Sequence, residues 1–161
     1  MNEKGECHWV FRAHLVDRVG ALTSIASAFS NEGVSIDTVV GHGMEEEMPA
    51  DGSVVLTFFC NEEKKDIMVR KVRRLSKVTS LEEKPYDSKA LRKSVILEST
   101  RKLVPRDVAG EETFLTCELV KREDEQWIYF LTGSPREIDR VLIPLAKEGV
   151  IKDVVYSIVG L

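Results

Sequence analysis

The chain has 161 residues, 43% of them hydrophobic and 31% charged, the balance of a globular protein with enough apolar material for its own core. A formal net charge of −4 gives no general attraction to phosphate backbones, so nucleic acid is excluded as an expected partner. The first residues are polar and of both charge signs, unlike a signal or transit peptide, and no apolar run nears the ~20 residues that span a bilayer, so the expected location is the cytoplasm, with no membrane contact.

Residues 8–16 alternate Trp9, Phe11, Ala13 and Leu15 with more polar neighbours, the period of a strand with one buried face. Gly20 then opens a helical stripe, Leu22, Ile25, Ala26 and Phe29, which Gly33 ends. A second strand is expected over 34–40, followed by a loop over 41–52 that holds His42, Glu45, Glu46 and Glu47. The apolar run 53–60 reads as a third strand, 62–75 as a second helix with Met68, Val72 and Leu75 on one side, and 77–81 as a fourth strand. The basic cluster Arg70, Lys71, Arg73 and Arg74 falls at the end of that second helix, with Glu62, Glu63 and Asp66 near its start. It therefore reads as a solvated face that complements the helix dipole. The order β-α-β-β-α-β predicts a ferredoxin-like module over 1–82.

Charges and Pro85 mark 83–91 as a linker, and 92–161 as a second domain. Within it 94–97 reads as a strand, 100–109 holds at most a short helix because of Pro105, and 113–121 with 126–132 reads as a hairpin. Ser134 caps a helix with Pro135 and Glu137 in its first turn and Ile138, Val141, Leu142 and Leu145 on its apolar stripe. Pro144 predicts a kink or an early end before Gly149, and 151–159 is the last strand. The expected fold class is α+β, two ferredoxin-like βαββαβ modules in tandem with helices on one face of a mainly antiparallel sheet. Residues 30–40 and 146–156 echo each other as a helix end, Glu-Gly-Val and an outgoing strand, but at non-equivalent places in the two modules.

Asp17, Arg18, Val19, Gly20, Ala21 and Leu22 join the first strand to the first helix. Gly20 allows a tight turn after which the helix-start amides point outward, with the helix dipole behind them, which suits a carboxylate. Asp17 suits an ammonium, so the segment matches the two charged ends of an amino acid. The same residues also suit an ordinary cap and turn, and spacing alone leaves both readings open. The cysteines, Cys7, Cys60 and Cys117, are odd in number and form no CxxC, so reduced thiols are expected, the last two as small buried hydrophobes. An enzyme or metal protein built on Cys7, His8, His14 and His42 is the alternative these residues carry, but they lack the HxxxH or CxxC spacing that gathers ligands. With no P-loop, Rossmann glycines or nucleophile arrangement either, no catalytic residue, metal or cofactor is expected in this chain.

The segment Asp17 to Leu22, followed by Phe29, Ser30, Asn31, Glu32, Gly33, Val34, Ser35, Ile36 and Asp37, resembles the signature of ACT domains, which bind amino acids at domain interfaces. Residues 68–82, 92–97, 131–139 and the ending Val159, Gly160 and Leu161 resemble the small regulatory subunits of acetolactate synthase (acetohydroxyacid synthase), in order and total length. The resemblance implies a non-catalytic homodimer. It also implies activation of a separate thiamine-diphosphate-dependent catalytic subunit, and feedback inhibition by a branched-chain amino acid, commonly valine. It places the effector between Asp17, Arg18, Val19, Gly20, Ala21 and Leu22 of one copy and the second strand, at Ser35 and Ile36, of the other. The C-terminal module is implied to help contact the catalytic subunit. Asp17 and Ser35 stand where this family carries Asn. A carboxylate at Asp17 repels an effector carboxylate unless it turns toward the ammonium, and Ser35 offers a shorter reach. The alternative from the same resemblance is a stand-alone tandem ACT-domain amino-acid sensor acting on another enzyme or regulator.

Overall fold

The computed structural model describes residues 5–16, 19–42, 52–108 and 115–160. Asp17, Arg18 and residues 43–51 of the acidic stretch lie outside the described residues. The chain divides between Ser88 and Lys89 into two compact units.

The first unit runs β1 (Cys7–Leu15), α1 (Ala21–Asn31), β2 (Ile36–His42), β3 (Ser53–Cys60), α2 (Glu62–Arg73) and β4 (Val78–Pro85), with its strands side by side in the order β2-β3-β1-β4. Its β1–β3, β1–β4 and β2–β3 pairs are antiparallel. The alternation in β1 sends Phe11, Ala13 and Leu15 to the core, where they meet Leu56 and Phe58 of β3, Ile25 and Phe29 of α1 and Met68 and Val72 of α2. Phe58 sits edge-on to Phe11 at 4.7 Å and to Phe29 at 4.8 Å, the favoured geometry for aromatic quadrupoles. Asn61 caps α2 by accepting the Lys64 N–H at 2.8 Å. At the other end of α2, Arg70, Lys71, Arg73 and Arg74 are exposed, and Lys71 with Lys64 pairs with Glu32, whose carboxyl they hold below the usual range.

The second unit runs β5 (Leu91–Ser99), α3 (Pro105–Val108), β6 (Thr116–Glu123), β7 (Gln126–Gly133), α4 (Pro135–Lys147) and β8 (Ile151–Gly160), in the order β6-β7-β5-β8. Each unit thus repeats one spatial order, second, third, first and fourth strand, and the expected pair of ferredoxin-like modules is what the chain forms. The second core gathers Val95 and Leu97 of β5, Tyr129 and Leu131 of β7 and Ile138, Val141 and Leu145 of α4. Ser134 caps α4, accepting the Glu137 N–H at 3.4 Å. Among the described residues no helix is long and apolar enough to cross a membrane.

Several expected boundaries move, each for a local reason. The second strand starts at Ile36 rather than 34 because Val34 closes α1, its N–H bonding to the Phe29 carbonyl. Gly41 and His42, expected in the loop, extend β2 opposite Val54 and Ser53. The fourth strand continues past Leu81 to Pro85, which is tolerated because β4 is an edge strand and Pro85 is its last residue. Helix α4 runs through Pro144 to Lys147 instead of ending early. The carbonyl that Pro144 leaves without an amide partner belongs to Arg140, an exposed residue.

The sequence echo has a structural cause. Gly33 and Gly149 both take positive φ, 66° and 70°. After α1 the Gly33 and Val34 amides bond to Ser30 and Phe29; after α4 the Gly149 and Val150 amides bond to Ala146 and Leu145. These are two copies of one helix-ending motif, which needs glycine at the left-handed position and an apolar residue after it.

Candidate functional site

Helix α1 starts differently from α2 and α4. Its cap is Gly20, at φ 84°, and among the described residues no side chain accepts a hydrogen bond from the amides at that end. The first amides of any helix lack intrahelical partners, and the first turn of α1 holds no acidic residue. Ser24 bonds back to the Gly20 carbonyl through both its amide, at 3.0 Å, and its hydroxyl, at 2.9 Å, which fixes the turn. Ala21 is buried at 1% and anchors the helix, while Val19 and Leu22 are 83% and 42% exposed, an apolar rim on either side of Gly20.

Residues from outside the segment hold it in place. The Val16 N–H donates to the Lys77 carbonyl at 3.1 Å, and the Lys77 ammonium donates to the Val19 carbonyl at 3.0 Å. A Cβ added to Gly20 would lie 3.1 Å from that same ammonium nitrogen. Lys77 is the residue that sequence reasoning missed. It sits in a short turn before β4, 58 residues from Val19, and no local period marks it.

Of the residues singled out in the sequence, Val19, Gly20, Ala21 and Leu22 form one turn, and Asp17 and Arg18 lie outside the described residues. Ser35 is exposed and Ile36 half-buried, at the entry to β2. They do not meet Gly20 within one copy, since Ala21 opens α1 and Ser35 follows its far end. An 11-residue helix is about 16 Å long. β2 is an edge strand of its sheet, so one side of its backbone is not paired within this unit.

The histidines and cysteines are spread over the sheet. His14 bonds to Glu82 at 3.1 Å and, with Lys84, holds that carboxyl below its usual range. His42 bonds to the Ser53 hydroxyl at 2.9 Å. His8 is stacked between Phe59 and Tyr86, ring centroids 4.0 and 3.7 Å away, with its Nε2 3.3 Å from Asp37. Burial pushes the Cys60 thiol up to about 11 and raises that of Cys117, whereas Cys7 is exposed. Among the described residues no group of three or more His, Cys, Asp or Glu is placed to hold a metal ion.

No family model matches the sequence, and no curated protein matches it. Among solved structures, the acetolactate synthase small subunit from Thermotoga maritima superposes with a TM-score of 0.64 at 15% identity, over 97% of this chain and 96% of that one. The chain has the fold of an acetolactate synthase small subunit. The regulatory subunit of aspartate kinase from Thermus thermophilus, 10% identical, aligns over 88% of this chain and 92% of that one with a TM-score of 0.45. The ACT domain of the GTP pyrophosphokinase of Chlorobium tepidum, 20% identical, covers 49% of this chain with 99% of its own length and a TM-score of 0.42. The tandem of two ferredoxin-like modules read from the sequence is therefore the one the chain adopts, with the Gly20 turn at the start of the first helix of the first module.

Proposed function

We propose that this chain is the non-catalytic regulatory subunit of an acetolactate synthase, a homodimer that binds a branched-chain amino acid and tunes a separate thiamine-diphosphate-dependent catalytic subunit. The observation that carries this reading is the Gly20 turn, a helix start with no side-chain cap among the described residues, flanked by exposed Val19 and Leu22. Amides at a helix start favour a carboxylate, and the apolar rim favours an aliphatic side chain. Asp17 supplies a carboxylate for the effector's ammonium. A second copy, paired through the edge strand β2, brings Ser35 and Ile36 to the turn from which they are separated within one copy.

The test combines titration and activity. Calorimetry of the intact chain with L-valine, L-leucine and L-isoleucine should show binding of at least one, and Gly20→Asp should abolish it by adding a carboxylate and a Cβ at the turn. Added to the catalytic subunit, the chain should raise acetolactate formation, and the bound amino acid should lower it. Binding unaffected by Gly20→Asp removes the site, and binding with no effect on acetolactate formation leaves a stand-alone sensor.

A further inference from the structure

Cys7 and Cys60 stand directly opposite each other in the pairing of β1 with β3. Opposed residues of an antiparallel pair project to one face of the sheet, and here it is the face of Phe11, Leu56 and Phe58, toward the helices. Further along the same ladder the Leu15 N–H donates to the Gly52 carbonyl at 2.9 Å. Hydrogen-bonded pairs recur at every second position from there, so Cys7 and Cys60 form one of them. Such a pair holds its Cα atoms about 5.5 Å apart, in the commonest range for bridged cysteines. Its Cβ atoms lie farther apart than in a bridge and must close by about 1 Å. The end of a ladder permits that movement, and Cys7 is the first residue of β1 while Cys60 is the last of β3. Both are free thiols in this structure, Cys7 exposed and Cys60 buried.

We propose that Cys7 and Cys60 are a reversible redox modification site, closing to an intrachain disulfide by exchange with a small-molecule disulfide and reopening in an excess of small thiol. The exposed Cys7 thiolate attacks one sulfur of the small disulfide, forming a mixed disulfide and releasing one thiolate. The Cys60 sulfur then attacks the Cys7 sulfur, and the second small thiol leaves with the Cys60 proton. The protein gives up two electrons and two protons, and the small disulfide is reduced to two thiols. Burial sets the order of these steps. The Cys60 thiol, pushed up to about 11, stays protonated and shielded until Cys7 carries the mixed disulfide beside it. A bridge that must draw its strands together is reduced more easily than a relaxed one, which suits a switch in a reducing compartment. Closure ties the start of β1 to the residue just before Asn61, the cap of α2.

The test uses the full chain with Cys117, which belongs to the second unit, changed to Ser. The native protein is incubated with oxidised glutathione, alkylated, and digested without reductant for peptide mass mapping. The Cys7 and Cys60 peptides should appear joined, with both thiols lost, the protein no larger than before, and both thiols recovered after dithiothreitol. The Trp9 indole N–H donates to the Cys60 carbonyl at 3.2 Å, so Trp9 emission, read with Trp127 changed to Phe, should fall on closure and return on reduction. Cys60→Ala should stop at glutathione on Cys7, and Cys7→Ser should leave Cys60 unmodified. Glutathione that stays on Cys7 when Cys60 is present, a disulfide between two copies, or a bridge that forms only in urea overturns the proposal. Mapping of the protein with both cysteines decides among these even if Cys60→Ala fails to fold.

Discussion

Replacing Gly20 by alanine tests the turn without any ligand. Gly20 has φ 84°, and an L-residue in the left-handed region is strained by about 1–2 kcal/mol. The smaller conformational freedom of alanine in the unfolded chain offsets about 0.4–1 kcal/mol of that. Gly33→Ala supplies a control, since Gly33 has φ 66° and open space around an added Cβ, so it should lose about 1 kcal/mol. At Gly20 the new Cβ meets the Lys77 ammonium at 3.1 Å, so the bond to Val19 must loosen, adding about 0.5–1 kcal/mol. In a Lys77→Ala background that addition has already been removed, so a double-mutant cycle should return a coupling of about 0.5–1 kcal/mol. Urea unfolding followed by Trp9 fluorescence, with Trp127 changed to Phe so that only the first unit reports, gives the required free energies. Gly20→Ala no more destabilising than Gly33→Ala, or equally destabilising with and without Lys77, would refute the reasoning.

Other parts of the molecule make independent predictions. Phe58→Ala removes a fully buried ring from between Phe11 and Phe29 and should destabilise the first unit by about 3–5 kcal/mol in the same urea assay; a loss under about 1 kcal/mol would mean the site collapses and the packing is misread. Ser134→Ala should lower the stability of the second unit by about 1 kcal/mol, read from Trp127, through loss of the α4 cap. Asp107 accepts both Arg101 guanidinium nitrogens, at 2.8 and 3.2 Å, and the Val104 N–H at 2.7 Å, which hold its carboxyl below the usual aspartate range. Its contribution is therefore full above about pH 4 and is lost as the pH falls below that, so Asp107→Asn should flatten the acid limb of the stability profile. An unchanged limb would show the pairing to be inert. Iodoacetamide at pH 7 should label exposed Cys7 and spare Cys60, whose buried thiol is pushed up to about 11; labelling of Cys60 in the native protein contradicts that burial.

The elements legible in the sequence are those in which one physical signal dominates. Alternation in β1 and the stripe Ile25, Phe29 in α1 reflect burial against one core, and the caps Asn61 and Ser134 or the stops Gly33 and Gly149 reflect backbone geometry that few residues satisfy. Where charge is tied up by tertiary partners the signal fails. Glu83 and Lys84 read as linker, yet with Glu82 they are strand. Glu82 is bonded by His14, and Glu83 pairs with Lys65 of α2 at 3.1 Å. Lys93 hides the true start of β5 in the same way: it is 5% exposed, pairs with Asp139 at 2.6 Å and lies over the Tyr156 ring. The candidate site divides along the same line. Gly20 announces itself by being glycine before an apolar stripe, whereas Lys77 acquires its meaning only when β4 is laid beside β1.

The stack of His8 between Phe59 and Tyr86 gives this protein a built-in spectroscopic reporter. An imidazole with an aromatic ring on each face experiences two ring currents at once, so its proton resonances should be displaced upfield and stand apart from those of His14 and His42. Asp37, at 3.3 Å from that imidazole, belongs to β2 and lies next to Ile36 in the chain, while Tyr86 lies just beyond β4. A slide of β2 or of the β4 end relative to β1 would therefore be recorded as a frequency change at a single, assignable side chain, without any label being introduced.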